Sequence, residues 1–541
     1  MKLDRWRYWL EKSGYNRIEP GKCALILNGI EHGVDIEFVG DRTLPRFGEN
    51  LRVDDPAHVD KITAVIEADV RAGKKAGPFD EPPHQYFVVS PIGCVPKKNS
   101  DKIRVIHHLS YPFKGASVNE DIVEEYLPLQ SFRDAADAVR AMGPGCFLIK
   151  LDVEAAYKQV PVRREDWHLL GFKWMGKYYY ERVLPFGLKS SCRLWDLFAD
   201  ALHHILKHEF NIDVVIHYID DFLLVCKDRA TANAALAATL TLCEDLGMPM
   251  APSKTEGPTH CLTFLGIELD TIQMRARLPA AKLAELRTLA DVWVDKVSAS
   301  AYEMQSLVGS LNFACTVVRP GRFYLRRLIG HMALTLSQCH SRTKQKLRLP
   351  TEALEDVRWW QRWIAHWNGI SLLYEVEWTA SDKLTLFTDA CLAGYGAVFG
   401  VNWFAGRWTP RQRAFAMRAQ RESMPFMELF ALVSAAATFG PVWKGKKIVF
   451  RCDCLPVVQA IEDKSSKQPA IMLLLRQLAE LACTIGFDFR AVHIAGKLNV
   501  AADILSRDGD CQAFRTVCPY AHQLPSPIVP LPLPGLDALL C

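Results

Sequence analysis

Val214-Val-Ile-His-Tyr-Ile-Asp-Asp-Phe-Leu-Leu-Val-Cys226 sets two apolar runs on either side of a pair of adjacent aspartates, Asp220 and Asp221. The runs have strand composition, and a β-hairpin built from them would present both carboxylates at its bend. Two neighbouring acids flanked by Ile219 and Phe222 repel one another, and desolvation penalises each, so the arrangement makes sense if a divalent cation sits there. Taken in isolation, the pair reads first as a plain Asp-Asp surface turn.

Working outward, Phe147 to Leu151 reads as a buried strand that ends at Asp152. A third carboxylate at a strand end is what a two-metal site for nucleotidyl transfer requires. One ion would help ionise a primer 3′ hydroxyl and the other would hold a triphosphate, about 3.5 to 4 Å apart. Around these strands the text is mixed α/β. Pro56 to Ala72, Leu188 to Leu206 and Ala230 to Leu246 have helical periodicity, and Lys102 to His107 and Cys146 to Leu151 read as short strands.

The chain has 541 residues, too many for one hydrophobic core, and 49% of them are hydrophobic, so two or more folded domains are expected. Met1 to Leu10 is charged and lacks a signal-peptide core, and no uninterrupted apolar run reaches the roughly 18 to 20 residues that span a bilayer. The expectation is an intracellular protein, cytoplasmic or nuclear, with no membrane partner. Its 16 cysteines include no CxxC pair, which suits free thiols rather than zinc or a disulfide framework. The net charge of +4 is small. Its distribution is more informative, because no acid falls between Glu303 and Glu352 while Arg319, Arg322, Arg326, Arg327, Arg342, Lys344, Lys346 and Arg348 do. Such a stretch could follow a phosphate backbone or could be a solvated helix face.

Four segments in order resemble successive motifs of reverse transcriptases: Leu-Asp-Val-Glu-Ala-Ala-Tyr at 151–157, Leu-Pro-Phe-Gly-Leu-Lys-Ser-Ser at 184–191, Tyr-Ile-Asp-Asp at 218–221 and Phe-Leu-Gly-Ile at 264–267. The resemblance implies that Asp152, Asp220 and Asp221 bind metal, that Tyr157 lies under the incoming sugar and excludes a 2′ hydroxyl, and that Phe186 is among the substrate-binding residues. It implies that Lys97 and Arg104, in Pro-Lys-Lys-Asn-Ser-Asp-Lys-Ile-Arg at 96–104, hold the triphosphate. Lys254 resembles a lysine that protonates the leaving pyrophosphate, and Phe264, Leu265 and Gly266 resemble a primer grip. The sequence departs from many relatives at His108, where they carry aspartate, and at Phe186, where retroviral enzymes carry glutamine and retrotransposon enzymes often carry phenylalanine.

Further on, Leu384 to Phe387 reads as a strand leading to Asp389, with Gly394 to Phe399 as its hairpin partner. Glu428 lies in helical text, Asp453 follows the strand Lys447 to Cys452, and Asp503 lies in the helix-like Asn499 to Ser506. Carboxylates at strand ends and on facing helices can converge on two divalent ions. The order Asp, Glu, Asp, then His-Ile-Ala-Gly-Lys-Leu-Asn-Val-Ala-Ala-Asp at 493–503, resembles retroelement ribonuclease H. By that resemblance the four acids hold Mg²⁺ against the RNA strand of a hybrid, and His493 assists protonation or product release.

The stretch Leu-Val-Gly-Ser-Leu-Asn-Phe-Ala-Cys-Thr-Val-Val-Arg-Pro-Gly-Arg at 307–322 is similar to DIRS-type retrotransposon polymerases, and more distantly to gypsy-type ones. The expected fold is α/β and multidomain. It comprises an N-terminal segment (1–80), right-hand fingers and palm (81–275), a thumb (276–330), a connection around Trp359, Trp360, Trp363 and Trp367 (331–382), an α/β ribonuclease H-like domain (383–508) and a proline-rich tail (509–541). Expected partners are RNA or DNA template-primer, RNA-DNA hybrid and deoxynucleoside triphosphates, with two Mg²⁺ or Mn²⁺ ions per active site. Two functional classes remain open from the sequence: an active polymerase and ribonuclease H, or a decayed or domesticated copy that only binds nucleic acid.

Overall fold

The computed structural model describes residues 1–48, 50, 56–96, 103–113, 115–123, 125–338, 345–366, 369–371, 378–381, 383–384, 386–418, 423–507 and 512–517. Lys97, Arg342, Lys344, Trp367 and the prolines from Pro525 to Pro534 lie outside the described residues. The chain is α/β and divides into two compact units, Met1–Leu265 and Gly266–Cys541.

The first unit is organised by a four-stranded antiparallel sheet. Helix α1 (Phe132–Met142) precedes strand β1 (Phe147–Asp152), then come α2 (Ser191–Glu209), β2 (Val214–Tyr218), β3 (Asp221–Cys226), α3 (Arg229–Leu246) and β4 (Glu256–Thr259). The strand order is β4-β1-β3-β2. Phe222 to Cys226 are all buried, because helices pack on this sheet and leave its central strand no wet face to alternate toward. Helix α1 starts at a capping box in which Ser131 and Asp134 satisfy each other's backbone donors. Beyond the sheet, Ile92–Pro96 and Ile103–His107 form an antiparallel hairpin.

The first 80 residues do more than lead into this unit. Helices Leu3–Lys12, Tyr15–Ile18 and Pro20–His32 put Trp6, Leu10, Tyr15 and Ile26 into the same core as Trp195, Phe198, Phe222 and Leu242. Polar contacts fasten them: the Arg5 guanidinium and the Trp9 indole N–H both donate to Asp245, and the Tyr15 hydroxyl donates to Asp200.

In the second unit, strands Ile267–Asp270 and Arg275–Arg277 precede helices Ala280–Val294, Ala301–Ala314 and Arg326–Gln338, which are followed by α4 (Thr351–His366). Then come β5 (Trp378–Ala380), β6 (Leu386–Ala390), β7 (Gly394–Phe399), β8 (Asn402–Arg407), α5 (Ser423–Phe439), β9 (Lys447–Cys452), α6 (Leu455–Glu462), α7 (Pro469–Ile485), β10 (Asp488–His493) and α8 (Val500–Arg507). Strands β6, β7 and β8 are an antiparallel meander, whereas β5, β9 and β10 run parallel. Among the described residues, Met424–Trp443 is the one helical stretch long and apolar enough to cross a membrane, and most of it is buried inside the protein. Glu428 interrupts it, and most of its apolar residues are core residues.

A polar knot joins α4 to α7. Asp356, fully buried, pairs with Arg476 at 2.6 Å and Arg327 at 3.4 Å. The Tyr324 hydroxyl and the Trp359 indole N–H both donate to Glu480, and their rings stack at 3.8 Å between centroids.

Candidate active sites

In the first unit the hairpin pairs β2 with β3, and β3 in turn pairs with β1 so that Asp221 lies opposite Asp152. The strand register alone therefore brings together acids that lie far apart in sequence. At the bend, Ile219 has φ of 58°, a left-handed conformation that a β-branched residue adopts only under constraint. The constraint is visible: the Trp195 indole N–H donates to the Ile219 carbonyl at 2.9 Å, and the Val153 N–H donates to the Asp220 carbonyl at 3.0 Å.

Burial, then the neighbouring Asp220, pushes the Asp221 carboxyl up to about 6. Burial and Asp152 likewise raise Asp220. Partial compensation comes from Lys254, whose ammonium donates to Asp152 at 2.6 Å. Tyr157 stands beside this cluster with its ring 5.2 Å from that of Phe186, and the Arg104 guanidinium lies 4.9 Å over the other aromatic of the pair, Phe186. The Tyr157 hydroxyl is hydrogen-bonded to Cys192 and raised by burial. Phe264 is fully buried, and Leu265 and Gly266 both have left-handed backbones. Lys97 lies outside the described residues. Trp195 and Cys192 went unread in the sequence, although both follow the 184–191 motif on α2.

The second cluster lies wholly in the second unit. Asp389 is on β6, Glu428 on α5, and Asp453 follows β9 directly. One carboxylate oxygen from each lies within 4.8 Å of the others. Asp389 is raised to about 6, and Glu428 to about 9, in both cases by burial first. Asp453 and Asp503 push Asp389 further up, and Asp389 and Asp453 do the same to Glu428. Among the described residues, Asp453 Oδ1 is buried without a hydrogen-bond partner. Three converging carboxylates and an orphaned oxygen fit a divalent cation, which would repay the cost of their proximity.

Asp503 stands outside this trio, half-exposed and paired with Arg507 at 2.7 Å. The exposed ring of His493 lies with Nε2 3.2 Å from the Asp453 carbonyl oxygen. Ser506, unread in the sequence, donates from its hydroxyl to Asp389 Oδ2 at 2.6 Å. Its position three residues after Asp503, one helical step along the same face, was the available signal.

The arginines of the acid-free stretch are largely occupied inside the second unit. Arg319 pairs with Asp488 at 2.7 Å, Arg327 pairs with Glu355 and Asp356, and Arg322 donates to Asn312. Arg322 and Arg326 are exposed. Acids absent from the local sequence are thus supplied from α4 and β10.

Residues 95–269 match the family model for reverse transcriptase (RNA-dependent DNA polymerase). Polyprotein P3 of Commelina yellow mottle virus is 24% identical over 367 residues, 66% of this chain and 18% of that protein. Protein P of duck hepatitis B virus (isolate white Shanghai duck S31) is 30% identical over 179 residues, 32% of this chain and 22% of that protein. The chain therefore spans about a fifth of the length of these two relatives. Among solved structures, a foamy viral protease-reverse transcriptase in complex with dsDNA superposes with a TM-score of 0.49 at 14% identity, covering 90% of this chain and 96% of that one. The chain is similar to the reverse transcriptase family over residues 95–269, the segment that holds all three aspartates of the hairpin site.

Proposed function

We propose that the chain synthesises DNA on RNA or DNA templates at its first acidic cluster and hydrolyses the RNA strand of RNA-DNA hybrids at its second, in retroelement replication. The observation that carries the reading is the register that sets Asp221 opposite Asp152 within the segment matching the polymerase family. In this reading the first unit supplies fingers and palm, and the second supplies thumb, connection and a ribonuclease H-like domain, with boundaries near 80, 275, 330, 382 and 508. The finer kinship to DIRS-type polymerases belongs to the same proposal.

Asp152, Asp220 and Asp221 would hold two divalent ions, and Asp389, Glu428, Asp453 and Asp503 two more. Bound there, Mg²⁺ or Mn²⁺ would lower the pKa of the primer hydroxyl or of a water and neutralise phosphate charge. The protein's own groups do the rest. The Tyr157 ring, braced by Phe186, forms a floor under the sugar that leaves no room for a 2′ hydroxyl. Arg104 and Lys97 hold the triphosphate. Lys254, released from Asp152 as substrate arrives, passes a proton to the departing pyrophosphate. Phe264, Leu265 and Gly266 seat the primer end, and exposed arginines such as Arg322 and Arg326 bind duplex phosphates. At the second cluster His493, on the exposed side of Asp453, moves a proton or helps product leave.

Primer extension on poly(rA) with Mg²⁺ or Mn²⁺, using the purified chain, tests the polymerase reading, and cutting of labelled RNA in a preformed hybrid tests the other. No incorporation with either ion from a folded sample would overturn the first.

A further inference from the structure

We propose that Ser506 is a positioning residue of the second acidic cluster, whose hydroxyl fixes one oxygen of Asp389 and leaves the other for a divalent cation. The inference rests on the reading of that cluster as a metal site. Ser506 Oγ lies 2.6 Å from Asp389 Oδ2 and 2.9 Å from the Asp503 carbonyl oxygen. A hydroxyl has one proton to give. The shorter contact is to a carboxylate, and a charged acceptor makes the stronger bond, so the proton points to Asp389. Ser506 is 1% exposed, which keeps water from competing for it.

The backbone is built to bring this serine in. Gly394 and Gly396 on β7 face α8, and the cross-strand layer has no room for side chains there. A Cβ on Gly394 would lie 3.1 Å from the Ser506 carbonyl oxygen, and one on Gly396 would lie 2.5 Å from Leu505 Cβ and 3.2 Å from the Ser506 nitrogen. The Cys391 thiol donates to the Ser506 carbonyl at 3.2 Å. At the other end of the helix, the Asn499 side chain donates to the Thr388 carbonyl at 2.8 Å. The residues at both ends of α8 are thus tied to the segment that carries Asp389. Without the hydroxyl, Asp389 would face Glu428 and Asp453 with only the weaker influence of Arg507 to oppose their repulsion, and would turn away from them when no cation is bound.

Groups that orient metal ligands typically account for about 10- to 100-fold in metal affinity. The test titrates Mn²⁺ calorimetrically into the full chain carrying Asp221→Asn, which weakens binding at the first cluster, with and without Ser506→Ala. In parallel, hybrid cleavage by the otherwise unchanged chain and by its Ser506→Ala variant is followed as a function of Mg²⁺. The expected result is an increase of about 10- to 100-fold in the half-saturating metal concentration in both measurements, with cleavage recovering at saturating Mg²⁺ and the metal-free melting temperature little changed. Parental metal affinity in folded Ser506→Ala overturns the inference, as does a loss of cleavage that saturating metal does not restore. Should the alanine variant fail to fold, Ser506→Cys, which keeps the size and only a weak donor, is read in its place: weakened metal binding supports the inference and parental binding overturns it. Asp453→Asn separates the two levels. If it binds Mn²⁺ like its parent, the metal reading of the cluster itself fails. If it loses binding while Ser506→Ala does not, only the role of Ser506 falls.

Discussion

The two acidic clusters solve the same electrostatic problem in opposite ways. In the first, Asp152 already has an ammonium on it, that of Lys254, and the favourable influence of Arg104 reaches Asp220. In the second, Asp389 and Glu428 are buried and stand with Asp453 around a common point, steadied among the described residues mainly by the Ser506 hydroxyl. Arg507 sits at the edge, on Asp503. A site with resident cations can hold its shape before substrate comes. A site without them stores repulsion that a metal ion releases, so its geometry and its ligand are more tightly linked.

The contrast is tested most strongly by disabling each cluster separately. Asp221→Asn should lower nucleotide addition by orders of magnitude while cleavage of a preformed hybrid survives, and Asp453→Asn should do the reverse, since an amide is a far poorer ligand than a carboxylate. Extension of a labelled primer and cutting of labelled RNA measure the two. If Asp221→Asn abolished hybrid cutting in a folded, hybrid-binding sample, the clusters would not be independent sites.

A second test loosens the support of the second cluster alone. Helix α7 packs against α5, the helix of Glu428, and is itself anchored by the Arg476 contact to buried Asp356. Arg476→Met leaves Asp356 with the weaker Arg327 contact only, and should destabilise the second unit by about 3–5 kcal/mol in urea unfolding. Hybrid cleavage should suffer more than primer extension; equal losses would mean that the knot serves the whole chain.

The cation-balanced cluster can be probed without touching its acids. Tyr157→Ala removes the ring that Phe186 braces, and should reduce discrimination against ribonucleotides by about 10- to 100-fold, the scale of removing a single steric barrier, about 1–3 kcal/mol. Competition between deoxynucleotides and ribonucleotides reads it, and unchanged discrimination would make Tyr157 a core aromatic. The smallest effect is expected from the exposed cations: neutralising Arg322 and Arg326 should flatten the dependence of log K on log salt by about one unit for each phosphate that is no longer neutralised. An unaltered slope would leave both as solvated side chains. Arg327 is unsuited to this test, because its pairing with Glu355 and Asp356 ties it to folding.

Much of the architecture was readable because the strand-borne acids sit close to where an apolar run starts or stops. Strands Phe147–Asp152 and Lys447–Cys452 end at, or one residue before, an acid, and their ends follow from composition alone. The N-terminal helices were harder to read. Nothing local in Leu3–Lys12 announces that Trp6 and Leu10 will complete a core built around Trp195 and Phe198. The ion pairs of the acid-free stretch were illegible for a related reason, since charge counted along a chain says nothing of partners such as Asp488 that arrive from another strand.

Side-chain chemistry, and periodicities only a few residues long, were enough to place Asp152 and Asp453 at strand ends and Glu428 in a helix. Which carboxylates meet, and what neutralises them, was left to tertiary packing. Lys254 reaches Asp152 across 102 positions and Ser506 reaches Asp389 across 117. Approaches over such separations depend on strand register and on how closely a helix can come to a sheet. Those are set by packing over the whole core rather than by any local pattern, and they decide whether a buried charge finds a partner or must wait for one from solution.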